Sequence, residues 1–434
     1  MNALTMWPLI VSLVIFVAAY AAVVLEKAHR TILALTGASA MIVLGSWLSF
    51  YDVHRAIAAI DFDTIVLLLS MMIIVGLFKG TGFFEYLALR AAKRAGGRPW
   101  RLLVSLGLVT TLISMALDNV TTIIILVPVT VSLADLLGVS PIPYLMTEVL
   151  LSNIGGVATL IGDPPNILIG SAAGFGFLDF LTHTGPIVVL AWAVAQAALL
   201  LIYRRELAVV PTGLDALNAM DARRAISDSK TTRRMLIVLG GTILLFLLHE
   251  HIGLNPGLVA LCGACAGLLW VRPDFDRVLR EVRWDVLLFF ISLFVLVGGL
   301  NASGAVGAVG RIVARLGAYS LPLAIIAVLW LGALASGLIS NIPFTIALLP
   351  VIQSLSGHGI AMEPLWWALA VGVGFGANMT PFGSAANLVV VGVSDTMGER
   401  LRVGRWIRSG SVVAVLTCLL GTGAILLAVR LGLM

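Results

Sequence analysis

Apolar runs long enough to cross a lipid bilayer follow one another down almost the whole chain, and that leaves few folds open. A hydrocarbon core about 30 Å thick takes about 20 residues of helix. Runs of that order lie at 7–25, 31–49, 64–80, 146–178, 185–203, 234–250, 255–271, 285–300, 362–397 and 409–431. Only 11% of the 434 residues are Asp, Glu, Lys or Arg, against roughly 25% in soluble domains. So few charges cannot cover a water-facing surface of this size, which excludes a soluble enzyme, a nucleic-acid binder and a disordered scaffold. The 44 glycines spread along the runs agree, because Gly is commoner in membrane helices than in soluble ones. The chain reads as an all-α integral membrane protein. No basic residue precedes Trp7, so the first run lacks a signal-peptide n-region and is expected to stay as a helix.

Two further stretches, 102–134 and 320–355, are each a pair of short apolar segments joined by a polar pinch. The pinches read Leu117-Asp118-Asn119-Val120 and Ile339-Ser340-Asn341-Ile342. With no hydrophilic loop to emerge into water, each predicts a re-entrant hairpin that stops at membrane depth, where protein or a wet cavity must surround it. Ten spans and two hairpins put 23 of the 27 Lys and Arg on one side; Arg55, Arg311, Arg315 and Arg430 fall on the other. By the positive-inside rule the first side is cytoplasmic and both termini lie on the outer, periplasmic side of a cell inner membrane.

The chain also repeats itself. A shift of 222 pairs Asp63 with Asp285, Ser70 with Ser292, Gly76 with Gly298, Asn119 with Asn341 and Pro128 with Pro350. One residue of slip later, Thr159-Leu-Ile-Gly162-Asp163-Pro-Pro-Asn166 pairs with Thr380-Pro-Phe-Gly383-Ser384-Ala-Ala-Asn387. Each repeat holds five crossings and one hairpin, an odd number of crossings, so the repeats are expected to be inverted, with a site where they meet at the midplane. The predicted divisions are a first half at 1–203, a cytoplasmic linker at 204–233 and a second half at 234–434.

The paired motifs cannot be uninterrupted helix. Pro164-Pro165 and Thr380-Pro381 remove backbone donors and clash with the preceding turn. Half-helix ends exposed by such breaks carry partial charge and bind ions without charged side chains. The polar residues there are Asp118, Asn119, Thr121, Thr122, Asn153, Thr159, Asp163 and Asn166, then Ser340, Asn341, Thr345, Asn378, Thr380, Ser384 and Asn387. They are candidate substrate- or ion-binding groups; the alternative is that they glue helices or satisfy broken backbone. Asp118 and Asp163 are candidates for proton or cation coupling, since an acidic residue at a helix centre costs about 2.5–3.5 kcal/mol. Each also suits an N-cap. Glu148 is open between a functional and a structural role. Asp63 and Asp285 read as helix-start residues, His183, His249, His251 and His358 as interfacial, and Trp366-Trp367 as an aromatic-belt anchor. Cys262-x-x-Cys265 has metal spacing but no further ligand nearby, so both read as small packing residues. There is no Walker loop, HExxH or nucleophile elbow, hence no expected enzyme, cofactor or bound metal.

The strings DNVTTIIILVPVT, SNIGGVATLIGDPPNILIGS, SNIPFTIALLPV and GANMTPFGSAANLVV resemble the ArsB/NhaD permease family of the ion transporter superfamily. That family includes arsenite efflux permeases, Na⁺/H⁺ antiporters and the animal P protein. The resemblance implies a ten-helix inverted-repeat carrier with two re-entrant hairpins, working by alternating access on an ion gradient. The Ser-Asn-Thr tips of related dicarboxylate carriers are replaced here by Asp118-Asn119-Val120 and Ser340-Asn341-Ile342. No Lys or Arg lies in the broken elements, which disfavours anions. The expected function is arsenite or antimonite efflux by H⁺ antiport, with As(III) or Sb(III) held by Asn, Thr, Ser and open backbone. The alternatives are Na⁺/H⁺ exchange and a channel-like anion pathway. Expected partners are the lipid bilayer and As(III), Sb(III) or Na⁺ with H⁺, with no nucleic acid; whether a soluble ATPase subunit docks on the linker is left open by the sequence.

Overall fold

A computed structural model describes residues 3–24, 28–305, 320–353, 355, 361–397 and 401–434. Arg311, Arg315 and His358 lie outside them. Among the described residues the chain is all-helical. Eight helices are long and apolar enough to cross a membrane, and five more apolar helices are shorter. The protein is a multi-pass membrane protein.

The N-terminal part runs α1 (Ala3–Val24), α2 (Arg30–Trp47), a short α3 (Val53–Ala58) and α4 (Phe62–Lys79). Then come α5 (Phe83–Ala95), α6 (Pro99–Ser114), α7 (Asn119–Leu137), α8 (Ile142–Gly156), α9 (Pro164–Ala173) and α10 (Phe177–Ile202). Helix α5 is the one amphipathic member of this set. It buries Phe84, Ala88, Ala92 and Ala95 and turns Arg90 and Arg94 outward, between left-handed glycines Gly82 and Gly96. Residues 204–233 hold α11 (Leu214–Ala219) and short 3₁₀ turns, and this is the segment expected to be a linker. It folds onto the loops of the N-terminal part: Thr212 N–H donates to Leu137 O at 3.1 Å and Ser227 N–H to Thr81 O at 3.0 Å. The chains meet so closely that a Cβ on Gly82 would lie 1.8 Å from Ala225 O.

The C-terminal part repeats the order with α12 (Ser229–Ile252), α13 (Pro256–Val271), α14 (Phe275–Glu281) and α15 (Trp284–Ala302). It continues with α16 (Leu321–Ile339), α17 (Asn341–Gln353), α18 (Glu363–Gly376), α19 (Ala385–Thr396) and, after a π turn at Ile407–Ser411, α20 (Val412–Arg430). Packing crosses between the parts: α2 lies on α15 and α13 on α4, while α7 lies on α19 and α9 on α17. Helices α8 and α18 touch each other at the centre, flanked by α10 and α20.

Three expectations fail on burial. Trp366 and Trp367 are only 5% and 0% exposed. Instead of anchoring at a lipid interface, Trp367 is stacked between Phe175 and His183, with ring centroids 4.4 and 4.9 Å away. His249 is buried rather than interfacial, its Nδ1 2.7 Å from Phe246 O. Cys262 and Cys265 are exposed, and it is Gly263, Ala264 and Gly267 that α13 packs inward, because closeness there needs the smallest side chains.

Candidate functional site

Both long apolar runs break where the Gly and Pro residues stand. Helix α8 stops at Gly156 and α9 begins at Pro164; α18 stops at Gly376 and α19 begins at Ala385. Pro164 and Pro165 occupy the first turn of α9, where backbone donors have no helical partner in any case. The last carbonyls of the first half-helices would be orphaned by the break. Asn166 Nδ2 donates to Gly156 O at 3.0 Å and Thr159 O at 2.8 Å. Asn387 Nδ2 does the same in the other copy, to Ala377 O at 2.8 Å and Thr380 O at 2.9 Å. The Nδ2 donors of this paired Asn thus satisfy the broken backbone.

Each hairpin tip rests on the break of its own repeat. Thr159 Oγ1 donates to Met115 O at 2.5 Å, and Thr380 Oγ1 donates to Gly337 O. Asn341 N–H donates to Gly383 O at 3.2 Å. Gly162 is required at this crossing, since a Cβ there would sit 2.6 Å from Gly156 O and 2.7 Å from Ser114 O. Four interrupted ends thus converge.

Polar side chains knit them across the two parts. Asn341 Nδ2 donates to both oxygens of Asp163, at 3.3 and 3.4 Å. Asn153 Nδ2 donates to Asn378 Oδ1 at 2.8 Å and Asn387 Oδ1 at 2.9 Å, and its own Oδ1 accepts from Asn119 at 3.2 Å. Asn119 Oδ1 accepts from Ser114 at 2.8 Å, and Asn378 donates to Leu150 O at 3.1 Å. Asn119, Asn153, Asp163, Asn341, Asn378 and Asn387 are all buried. Thr122 Oγ1 is buried with no partner, Thr345 is spent on Asn341 O, and Ser384 caps α19 through Ala386 N–H.

The two acidic residues part company here. Asp118 is a cap: it accepts from Thr121 N–H at 3.0 Å and Thr121 Oγ1 at 2.5 Å, and it is half-buried. Asp163 stands at the N-cap position of α9 but makes no capping bond. Its carboxylate instead accepts from Asn341 of the opposite hairpin. Asp163 thus does not cap as expected: Pro165 removes one donor, and the next, Asn166 N–H, goes to the Asp163 main-chain O at 2.9 Å.

A cavity of about 840 Å³ reaches the tips from the face that carries the Arg30 and Arg283 ends of α2 and α15. Its wall includes Ser340, Val120, Phe382 and Ala385. Ser340 has φ of 107°, a strained value for a residue with a side chain, of the kind that collects at functional sites. Arg30 and Arg283 also line a smaller adjoining pocket beside Asp118. Sequence reasoning missed them because it searched the broken elements for positive charge, whereas both arginines come from intact helices. Arg283 pairs with Asp285 at 3.3 Å, and Arg30 lies over the Phe289 ring. On the opposite face a pocket of about 430 Å³ is lined by Asp63, Leu160, Ile167, His249 and Glu250, and the hairpin tips are not among its walls.

Known proteins share this plan. The YdaH transporter of Alcanivorax borkumensis, whose crystal structure is described as revealing an unusual topology, superposes with a TM-score of 0.64 at 16% identity, over 93% of this chain and 99% of that one. The human P protein is 33% identical over 493 aligned residues, 94% of this chain but 58% of its own length. The 46 kDa membrane protein of Mycobacterium leprae is 38% identical, covering 94% of this chain and 96% of that protein. An uncharacterized transporter of Mycobacterium tuberculosis is 39% identical with the same coverage. The citrate transporter family CitMHS matches residues 20–372. The chain is a membrane transporter, not an enzyme, and it belongs to the CitMHS family.

Proposed function

We propose that the protein is a proton-coupled secondary transporter working by alternating access between two inverted halves, 1–203 and 234–434. The observation that carries this reading is the bond from Asn341 to the buried carboxylate of Asp163, made across the two repeats where four interrupted ends meet. Inversion is supported by the exchanged packing, α2 on α15 with α13 on α4. Alternating access is supported by the unequal cavities: the one lined by Arg30 reaches the tips and the one lined by Asp63 does not. The first substrate reading is a small uncharged polyhydroxylated solute such as arsenous acid or its antimony counterpart, exported against entering protons. Buried amides and hydroxyls around one carboxylate offer it donors and acceptors without a fixed positive charge. Asp118, spent on capping, is secondary to Asp163 in coupling.

A second reading is a carboxylate anion, favoured by Arg30 and Arg283 at the cavity mouth and by the family's description. Everted membrane vesicles separate the two. Accumulation of As(III) that a protonophore abolishes, and that Asp163→Asn lowers by about tenfold or more, supports the first. Saturable citrate uptake with no As(III) accumulation supports the second, and Na⁺-driven dissipation of a pH gradient with neither solute would sink both.

A further inference from the structure

A second carboxylate lies in the apolar interior, away from the four tips. Glu148 on α8 is fully buried. Its Oε1 accepts from Thr130 Oγ1 on α7 at 2.5 Å, while Oε2 is buried with no partner. The helices packed against α8 carry ionisable groups only near their ends: Arg101 on α6, Asp135 on α7, Asp179 and His183 on α10, Glu363 on α18, Asp395 on α19 and Arg408 in the π turn. None of these is buried, and none pairs with Glu148. An unpaired ionised carboxylate in such surroundings costs several kcal/mol, so a glutamate kept solely for packing would be better replaced by an apolar residue.

Glu148 stands in a line. Tyr144, Glu148, Ser152 and Gly156 are spaced by four on α8 and so share one face. At the inner end, Ser152 Oγ and Ser114 Oγ are 3.1 Å apart, Ser114 bonds Asn119, and Asn119 faces Asp163. At the other end, Tyr144 borders a crevice with Arg98, Pro99 and Pro211, where the linker covers the loops. Successive members are about 6 Å apart along the axis, close to one helical turn.

We propose that Glu148 is a proton-binding residue between the Asp163 site and the linker face, reached along the Tyr144–Glu148–Ser152 stripe of α8. The inference rests on the proton-coupled reading above and adds to it the route the proton takes. Glu148, neutral at rest, releases its proton at the linker face and is briefly a carboxylate. The Asp163 carboxylic acid then gives it a proton, leaving Asp163 ionised and Glu148 neutral again. Thr130 holds one oxygen and steadies the brief ionised form, while the unpaired Oε2 is the atom that exchanges.

Infrared difference spectra of the full-length protein in liposomes, recorded across a pH step, test this without any solute. Wild type should show a carbonyl band from a protonated acid that Glu148→Gln removes, Asp163→Asn leaves, and Thr130→Val shifts. A spectrum unchanged by Glu148→Gln overturns the proposal. As(III) transport supplies the second arm. Glu148→Gln should lower protonophore-sensitive accumulation at least tenfold while As(III)/As(III) exchange stays within twofold of wild type, and Glu148→Asp should restore part of the accumulation. Loss of exchange as well would make Glu148 structural and overturn the assignment. Wild-type accumulation that ignores the protonophore would instead refute proton coupling itself, and accumulation by Glu148→Gln equal to a protonophore-sensitive wild type refutes the route alone.

Discussion

At the residue scale, the same side chain is used twice for the same repair. Asn166 and Asn387 each donate two bonds to carbonyls that a broken helix leaves behind. Removing those donors leaves buried acceptors unsatisfied, at about 1–3 kcal/mol each. Asn166→Leu and Asn387→Leu should therefore lower the thermal midpoint in detergent by comparable amounts. Asp118→Asn, which keeps an acceptor for Thr121 N–H, should change stability by less than about 1 kcal/mol. Equal midpoints for all three variants would remove the clamp role. The motif and its pairing were legible in the sequence, but which polar group would serve the backbone and which would face the other half was not. Asp-x-x-Thr could have resolved one case. Asp61 with Thr64, Asp118 with Thr121 and Asp228 with Thr231 all make the same cap, carboxylate to the third backbone N–H and to the Thr hydroxyl. Asp163 has no Thr at that distance, and its carboxylate is the one that goes elsewhere. The same spacing shows that Asp61, not Asp63, caps α4; Asp63 lines the pocket opposite the tips.

At the element scale, the breaks were readable because Pro164-Pro165 and Pro381 stand beside Gly162 and Gly383, whereas the single prolines Pro128, Pro186 and Pro350 are accommodated inside α7, α10 and α17. How the half-helices pack was less readable. Gly372 and Gly376 of α18 are four apart, and a Cβ on them would lie 2.3 Å from Leu329 O and Ala333 Cα of α16. Small residues at that spacing let two backbones approach, and Ser336 Oγ seals the contact with a 2.7 Å bond to Val373 O. Gly376→Ala must push α16 away from α18, because the atoms in its path are backbone rather than flexible side chain. A cost of about 1–3 kcal/mol is expected from overpacking. Gly240→Ala, with nothing within 4 Å of the new methyl, should be neutral or stabilising by up to about 1 kcal/mol, the helix-propensity difference. Thermal unfolding of the two variants side by side checks the contrast. If Gly376→Ala proves as benign as Gly240→Ala, the close crossing is not what holds the second hairpin against its broken span.

At the scale of the molecule, the two cavities are lined by residues that match at the sequence offset and yet differ in reach. Asp285, Phe289 and Leu388 line one; Asp63, Leu67 and Ile167, their counterparts at the repeat offset, line the other. If two similar halves can exchange roles, the difference in depth is a state of the transporter and not a permanent feature, and each vestibule should open in turn. The arrangement described has Ser340 on the open side. Ser340→Cys, placed in a chain from which Cys262, Cys265 and Cys418 have been removed, should react with a membrane-impermeant thiol reagent from the side of the Arg30 and Arg283 loops. From the side of Asp63 and Glu250 it should be protected, and Leu160→Cys should show the reverse exposure. Imposing a proton gradient and transported solute should redistribute the two reactivities together, one falling as the other rises, because one site cannot be open to both sides in a coupled carrier. Simultaneous labelling of Ser340→Cys from both faces would indicate a continuous pathway and the channel-like alternative. A reactivity pattern that no gradient or solute alters would leave two static clefts, and the unequal cavities would then carry no argument for transport by exchange of the halves.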